Sequence, residues 1–142
     1  LDELDQEYDV ICSEVGSGTM LSSLITHNKK PNTQFLGFVV MKNRQLEDNI
    51  RSKVNTHNNL NTKWSLNHDY HFEGIAKASN ELYQFIKNFK TEFSIQLEPV
   101  YSGKMLYGIF DLISKDYFKP GSRILAIHGG GLQGLRGFAD LY

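Results

Sequence analysis

The sequence predicts an α/β fold of three layers, in which a mostly parallel, twisted sheet carries helices on both faces. Apolar, strand-like runs alternate along the chain with segments whose apolar residues recur at helical spacing. The turns between them are short, and glycine-rich stretches follow the first and the last strand-like run. Residues 35–41 are apolar throughout, which is typical of a parallel strand covered on both faces.

Four helices and three strands follow in order along the chain. The helical faces are Leu21, Leu24 and Ile25, then Leu46, Ile50 and Val54, then Leu82, Phe85, Ile86 and Phe89, and last Leu106, Ile109, Phe110 and Ile113. Ser79 is the predicted cap of the third helix, and Pro99 separates the third from the fourth. "YDVICS", residues 35–41 and "RILAIH" are the strands. Residues 56–64, rich in Asn, Thr and His, form the one long loop.

Composition and charge limit the functions that are open to this chain. Its 142 residues, 40% of them hydrophobic and 22% charged, suit one ordinary domain with a core. The 15 basic and 16 acidic residues are intermixed, so we expect neither a nucleic acid nor a membrane as partner. Cys12 is the only cysteine, which favours a reducing cytoplasm. The sequence starts at Leu1, without an initiator methionine, and we expect it to be a piece of a longer protein.

The stretch "VGSGT" follows the first strand and opens the first helix. In this arrangement unpaired backbone N–H groups and the helix dipole hold a phosphate, and Ser17 and Thr19 add hydroxyl donors. Gly16 and Gly18 are equally well explained as a tight turn between a strand and a helix. The stretch has neither the GK[ST] ending of a nucleotide P-loop nor GxGxxG spacing, so the phosphate ligand we expect is neither ATP nor NAD.

"YSGK" brings a phenol, a hydroxyl and an amine together before the fourth helix. A phenol in a dry cleft can act as an acid or a base, so Tyr101 is a candidate catalytic residue. The alternative is that Tyr101 packs at an edge, Ser102 caps the helix and Lys104 lies in water.

"HDYHFEG" groups histidines and acids but matches no specific metal motif. His68 and His71 are three apart, and no HExxH pattern or cysteine partner accompanies them. We therefore predict no metal, and a loop that packs Tyr70 and Phe72 against the core. His128, at the end of the last strand, either lines a pocket or is held by the glycine-rich backbone.

Four stretches together resemble one family. They are "DVICSEVGSGTMLSSLI", "WSLNHDYHFEGIAKASNELYQFI", "LEPVYSGKMLYGIFDLI" and "ILAIHGGGLQGLRGF", and their order and spacing match across nearly the whole chain. The chain is similar to the C-terminal part of the 1-aminocyclopropane-1-carboxylate deaminase and D-cysteine desulfhydrase family. The resemblance covers residues 1–142 and implies the fold of the tryptophan-synthase β-subunit, with pyridoxal 5'-phosphate as cofactor.

The resemblance also implies a set of site residues. Those that bind the cofactor are Gly16, Ser17, Gly18, Thr19, Ser102, Gly129 and Gly130. Tyr101 is implied to serve acid-base or nucleophilic steps, and Ser102 to face the pyridine nitrogen of the cofactor. A hydroxyl there makes a weaker electron sink than a carboxylate, which favours the desulfhydrase-like branch. The glycines from Gly129 onward let the backbone approach a flat cofactor closely.

The chain departs from the family pattern in four ways. Aligned on "GTGGT", Met20 falls on the phosphate-binding threonine. Gly129 replaces a residue that is often Thr or Leu, and Glu73 stands where relatives usually have Gly. The lysine that holds the cofactor belongs to a motif like "GNKxRKLE", which this sequence lacks, and Lys104 matches a different position. We expect the anchoring lysine to lie upstream of Leu1.

The resemblance therefore implies a lyase or deaminase that acts on a small amino acid such as D-cysteine and works as a homodimer. Its products would be a keto acid and ammonia, with sulfide from D-cysteine. By itself, the chain is expected to have no turnover. Two alternatives stay open: a degenerate homologue that binds pyridoxal phosphate or phosphate without catalysis, and an incomplete domain that exposes apolar surface.

Overall fold

The fold is built on a parallel sheet of four strands. A computed structural model describes residues 6–55, 61–74, 78–129 and 131–138. The strands are β1 (Val10–Val15), β2 (Gln34–Val39), β3 (Trp64–Asn67) and β4 (Ile124–Ile127). They lie in the order β3-β2-β1-β4, and all their pairings are parallel. The predicted parallel sheet is confirmed, and the carboxyl ends of its strands lie together at one edge.

The predicted helices are also confirmed. They are α1 (Thr19–Thr26), α2 (Leu46–Asn55), α3 (Asn80–Phe93) and α4 (Ser102–Ser114), and a short 3-10 helix spans Leu132–Leu135. Ser79 caps α3 as predicted, because its side-chain oxygen accepts a hydrogen bond from the backbone N–H of Leu82 at 3.2 Å. Within the described parts of the chain, no helix has the length and apolar composition needed to cross a membrane.

Both faces of the sheet are covered, as the fold class requires. Along β1, Ile11 and Val15 join a buried cluster with apolar residues of α1 and α2. Val10 and Cys12, on the opposite face of the strand, join a second cluster with residues of α4. α3 packs outside α4, where Gly103 allows a close approach. The three-layer prediction is therefore confirmed.

β3 was not predicted, and the long loop was predicted to extend to Trp64. Residues 56–60 lie outside the described part of the chain, but Trp64 begins β3 and pairs with Phe35 of β2. The strand has four residues, "WSLN", and half of them are polar. So short and polar an edge strand carries no hydrophobic periodicity of its own, and pairing with β2 decides its conformation.

The apolar face of α4 is rotated from the predicted one. Ile109 is buried as expected, but Phe110 and Ile113 are 43% and 49% exposed. The buried face instead contains Met105 and Leu112 together with Ile109. The apolar residues of α4 surround much of the helix, so spacing alone could not select the face that meets the sheet.

Gly108 explains why this face is the buried one. A Cβ atom at Gly108 would lie 2.6 Å from Cε1 of Phe38 on β2 and 2.9 Å from Cδ2 of Tyr70. The missing side chain lets α4 approach the sheet at this point, and the helix is oriented by that contact.

We predict that Gly108→Ala destabilises the protein. In an ordinary helix this change adds about 1 kcal/mol of stability, because alanine has the higher helix propensity. Here the added methyl group would overlap the Phe38 ring, and the free energy of unfolding should fall by about 1–3 kcal/mol. Urea unfolding measures the difference.

Ser23→Ala is the matched control for this experiment. Ser23 is an exposed residue of α1, so the substitution should change the free energy of unfolding by less than about 0.5 kcal/mol. A Gly108→Ala variant more stable than the wild-type chain would contradict the close packing of α4 on β2.

Candidate active site

Residues 16–19 form a glycine turn that joins β1 to α1. Gly18 has a φ of 80° and a ψ of 1°, a left-handed conformation that glycine adopts without strain. A Cβ atom at Gly18 would lie 2.6 Å from Cγ1 of Ile50, so α2 also leaves no room for a side chain. Ser22 donates its hydroxyl to the Gly18 carbonyl oxygen at 2.7 Å, which ties the turn to α1. The shape of the turn therefore requires glycine at position 18.

Hydrogen-bond donors gather around this turn. The hydroxyl oxygens of Ser17 and Thr19 are exposed and lie 3.1 Å apart. Lys53 of α2 donates from its ammonium group to the Thr19 hydroxyl at 3.3 Å. The first N–H groups of α1 have no acceptor within the helix, and its dipole favours an anion. The two hydroxyls were identified from sequence, whereas Lys53 lies far away along the chain and was not.

Tyr101 lies beside the same turn. It occupies the N-cap position of α4 and is 36% exposed. A Cβ atom built on Gly16 would lie 3.5 Å from Cε1 of the Tyr101 ring, which is ordinary van der Waals distance. The structure thus brings two sequence motifs together at the carboxyl edge of the sheet. A phenol placed beside a turn with these hydrogen-bond donors would be suited to proton transfer on a ligand bound there.

Glu98 holds the backbone that carries Tyr101. The Glu98 side chain is 1% exposed, and its carboxylate accepts hydrogen bonds from the backbone N–H groups of Val100, Tyr101 and Ser102 at 2.6, 2.7 and 2.5 Å. An anion at the start of a helix is stabilised by the free N–H groups and by the dipole. Glu98 was not identified from sequence, although an acid just before a proline-led helix start is a signal for a cap.

Ser102 is the first residue of α4 and is buried rather than open to solvent. Its hydroxyl donates to Oε1 of Glu98 at 3.1 Å and accepts from the backbone N–H of Glu98 at 3.2 Å. Ser102 was considered as the cap of α4, but Tyr101 holds the N-cap position and the Glu98 carboxylate does the capping. The donor of the Ser102 hydroxyl is therefore engaged within the protein.

Lys104 does not lie in water, which corrects one of the two interpretations of "YSGK". The residue is 0% exposed, and its ammonium group donates to the carbonyl oxygens of His71 and Gly74 at 2.9 and 2.6 Å. Burial lowers the pKa of Lys104 to about 8, and the nearby Glu98 carboxylate opposes that shift. Lys104 therefore fastens α4 to the 71–74 turn.

The "HDYHFEG" stretch packs as predicted. Tyr70 is buried in the cluster that joins the sheet to α4, and Phe72 packs against the same cluster. Phe72 and Glu73 have φ values of 50° and 67°, in the left-handed region that glycine favours. In the described ranges no three His, Cys, Asp or Glu side chains lie close enough together to hold a metal. Glu73 is thus a charged residue in a conformation that suits glycine.

The glycine stretch after β4 meets the end of β1. The backbone N–H of Gly129 donates to Oε1 of Glu14 at 3.1 Å, and Nε2 of the exposed His128 lies 3.4 Å from the Gln96 carbonyl oxygen. Gly130 lies outside the described residues. Burial raises the pKa of Glu14 above its usual range. Glu14 was not identified from sequence, because a lone acid within an apolar strand belongs to no motif.

Known proteins similar to this chain carry two enzyme names. The 1-aminocyclopropane-1-carboxylate deaminase of Cyberlindnera saturnus is 23% identical over 149 residues, which cover 99% of this chain and 44% of that protein. The mitochondrial bifunctional D-cysteine desulfhydrase/1-aminocyclopropane-1-carboxylate deaminase of Arabidopsis thaliana is 36% identical over 91 residues, which cover 63% of this chain and 21% of that protein. No family profile matches the chain.

The fold is similar to that of a solved structure. A crystal structure of an ACC deaminase homologue matches this chain with a TM-score of 0.80 and 25% identity, over 97% of this chain and 44% of that one. The resemblance seen in the sequence is confirmed by these relatives. The chain spans less than half the length of the curated relatives it matches.

We predict that Lys104 makes the stability of the protein depend on pH between about 8 and 10. Because its pKa is lowered to about 8 from the ordinary 10.5, the folded chain binds fewer protons than the unfolded chain in this window. The free energy of unfolding contributed by Lys104 should therefore rise as the pH rises from 8 towards 10. The free energy of unfolding, measured in urea, should differ between the wild-type chain and Lys104→Met, and the size of this difference should change with pH.

Two precautions make that comparison decisive. Burial and carboxylate partners raise the pKa values of Tyr70 and Tyr107, which lowers stability above about pH 10, so measurements stop there. Lys87→Met, on the exposed side of α3, should differ from wild type by a constant amount across the window. A constant difference for Lys104→Met as well would contradict the buried, donating lysine.

We predict that Glu73→Gly stabilises the protein. The left-handed φ of Glu73 costs a non-glycine residue about 1 kcal/mol or more, and glycine avoids that strain at an entropic cost of about 0.5–1 kcal/mol. The free energy of unfolding should rise by up to about 1 kcal/mol. Lys87→Gly, in the middle of α3, is the control and should lose about 1 kcal/mol. A loss of stability in both variants would contradict the strained turn.

Proposed function

We propose that this chain is part of a pyridoxal-phosphate-dependent deaminase or lyase for small amino acids, because its relatives include proteins named 1-aminocyclopropane-1-carboxylate deaminase and D-cysteine desulfhydrase. The observation that carries the proposal is the meeting of two motifs. The Tyr101 ring lies within van der Waals reach of the Gly16 position, beside the anion-binding turn. A group bound through its phosphate at this turn has a phenol next to it.

The glycine turn fits the phosphate of the cofactor. Ser17 and Thr19 supply exposed hydroxyls, Lys53 supplies a cation, and Gly18 has the left-handed conformation that lets the backbone of the turn face a ligand. Because Gly16 has no side chain, the space between the turn and the Tyr101 ring stays wider than it would be with any other residue at position 16. Four of these residues, all except Lys53, were identified from the sequence.

Bound pyridoxal phosphate supplies an electron sink for the electrons released at the α-carbon of an amino acid. In this proposal Tyr101 exchanges a proton with the substrate through its phenol oxygen, because it is partly exposed beside the turn. By resemblance, Ser102, Gly129 and Gly130 would hold the ring of the cofactor, and Gly130 lies outside the described residues. The lysine that holds the cofactor lies in a part of the protein outside this chain, so the chain alone has no turnover.

The finer assignment is a D-cysteine desulfhydrase-like activity. In this reaction one D-cysteine and one water molecule yield one molecule each of pyruvate, ammonia and hydrogen sulfide. A serine rather than a carboxylate at position 102 supports this branch, because a hydroxyl leaves the pyridine nitrogen unprotonated and the sink weaker. The Arabidopsis thaliana relative carries D-cysteine desulfhydrase in its name.

One observation favours a second candidate, a binder of pyridoxal phosphate or phosphate without catalysis. The hydroxyl donor of Ser102 already bonds to Glu98, so it has no free hydrogen for a ring nitrogen in this arrangement. Met20 also contributes no hydroxyl to the turn where the family pattern has threonine. The two candidates share the phosphate turn and differ in turnover.

A small amino acid, a second copy of the chain and a cytoplasmic location complete the proposal. Phe93, Phe110 and Ile113 are exposed along α3 and α4, and an apolar surface of this kind supports contact with another polypeptide. The lack of a basic patch in the sequence supports the expectation that neither nucleic acid nor a membrane is a partner.

We predict that two variants separate cofactor binding from catalysis in the longest form of the protein that contains this chain. The double variant Ser17→Ala/Thr19→Val removes two exposed hydroxyls and should weaken the binding of pyridoxal phosphate, followed by absorbance. Tyr101→Phe should keep cofactor binding and lower keto-acid release from D-cysteine by about 100-fold. Borohydride reduction and peptide mapping then identify the lysine attached to the cofactor.

Tyr117→Phe is the control, because Tyr117 is 54% exposed and lies before β4, near the opposite edge of the sheet. It should change neither cofactor binding nor turnover. Failure of the wild-type protein to bind saturating cofactor would overturn the proposal. Binding without release of keto acid from any small amino acid would favour the non-catalytic binder.

A further inference from the structure

Glu14 lies at the carboxyl end of β1 and has no role in the function proposed above. On the strand it follows Val10 and Cys12 on the face toward α4, by the alternation of side chains. One carboxylate oxygen, Oε1, accepts the Gly129 N–H at 3.1 Å. The other, Oε2, is buried and has no hydrogen-bond partner among the described residues. A buried carboxylate oxygen without a partner lowers stability, and such costs are typical of functional positions.

The contact with Gly129 is steric as well as polar. A Cβ atom at Gly129 would lie 2.4 Å from Oε1 of Glu14, so a side chain at position 129 would require the end of the Glu14 side chain to move. The Glu14 carboxylate therefore takes the space that a side chain at position 129 would fill. Cε of Met20 lies 3.8 Å from the same Cβ position, so this space adjoins the first turn of α1.

Two other ionisable groups act on Glu14. His128, which precedes Gly129, favours the charged form of Glu14, whereas the Glu98 carboxylate before α4 disfavours it. Burial has the larger effect and raises the pKa of Glu14, while the Gly129 N–H opposes that shift. The strength of the bond to Gly129 thus depends on whether Glu14 carries a charge, because a carboxylate accepts more strongly than a carboxylic acid.

We propose that Glu14 is a positioning residue, which together with Gly129 forms one side of the ligand site. Recognition of the amino acid then depends on the Glu14 carboxylate and not on a side chain at position 129. The proposal rests on the proposed function, since that function makes the Gly129 turn part of the site. The pairing itself rests only on the contact between the two residues.

The first test is a double-mutant cycle on the urea unfolding of this chain, which needs no cofactor. Gly129→Thr should lower the unfolding midpoint, because its Cβ meets Oε1. Adding Glu14→Ala to that variant should recover more than half of the lost midpoint, because it empties the space. Effects of the two substitutions that simply add would overturn the pairing.

The second test follows the amide NMR signal of Gly129 against pH. In the wild-type chain the signal should move with a midpoint above 4.5, the ordinary value for Glu14. Glu14→Gln keeps the acceptor and the volume but cannot ionise, so this step should disappear. His128→Gln separates any step due to the histidine. A residue with a purely structural role would not make the Gly129 signal depend on its own ionisation. If the Gly129 signal titrates identically in the wild-type chain and in Glu14→Gln, the positioning role is therefore wrong.

The third test measures D-cysteine affinity in the cofactor-loaded, longest form of the protein. Glu14→Gln should weaken amino-acid binding about tenfold while leaving the binding of pyridoxal phosphate unchanged, because only the charge on this side of the site is lost. Glu92→Gln, an exposed acid on α3, is the matched control and should change neither. Unchanged amino-acid affinity in Glu14→Gln would overturn the recognition role.

The two proposals fail in distinguishable ways. If the wild-type protein binds no pyridoxal phosphate, the proposed function fails and the recognition role of Glu14 fails with it, whereas the unfolding cycle and the Gly129 titration still decide the pairing. If cofactor and amino acid bind normally but the cycle is additive, the function stands and the pairing is wrong.

Discussion

The candidate site depends on the hydrogen bonds of the buried Glu98 carboxylate at the start of α4. Three consecutive backbone N–H groups, those of Val100, Tyr101 and Ser102, donate to this one side chain. The bonds fix the backbone of Tyr101, whose Cε1 lies 3.5 Å from the position that a Cβ atom at Gly16 would take. Glu98 therefore holds both the start of α4 and the residue that carries the phenol. The dipole of α4 stabilises the negative charge of the Glu98 carboxylate.

Close approaches of backbone account for the remaining arrangement. Gly103 brings α3 against α4, Gly108 brings α4 against β2, and Gly18 brings the glycine turn against α2. In each case a Cβ atom would overlap a neighbouring heavy atom, so these glycines place whole elements. Gly129 follows the same principle at the carboxyl edge, with the Glu14 carboxylate as its neighbour.

The 71–74 turn shows how strain and charge are combined near the site. Phe72 and Glu73 adopt left-handed backbone conformations, and the carbonyl oxygens on either side of them, from His71 and Gly74, accept hydrogen bonds from Lys104. The buried ammonium group therefore holds a turn that its own residues would not favour. Because Lys104 belongs to the first turn of α4, this constraint is connected to the same helix that Glu98 anchors.

Hydrophobic spacing and turn residues are local properties, so the amino-acid sequence was enough to predict three of the strands, the four helices, the parallel sheet and the glycine turn. It also identified Ser17, Thr19 and Tyr101 as candidate site residues. The short strand β3, the buried face of α4, the burial of Lys104 and the contacts of Glu98 and Glu14 became evident from the folded chain alone. Each of these depends on a partner distant in sequence or on the backbone path of a turn, which spacing along the chain does not encode.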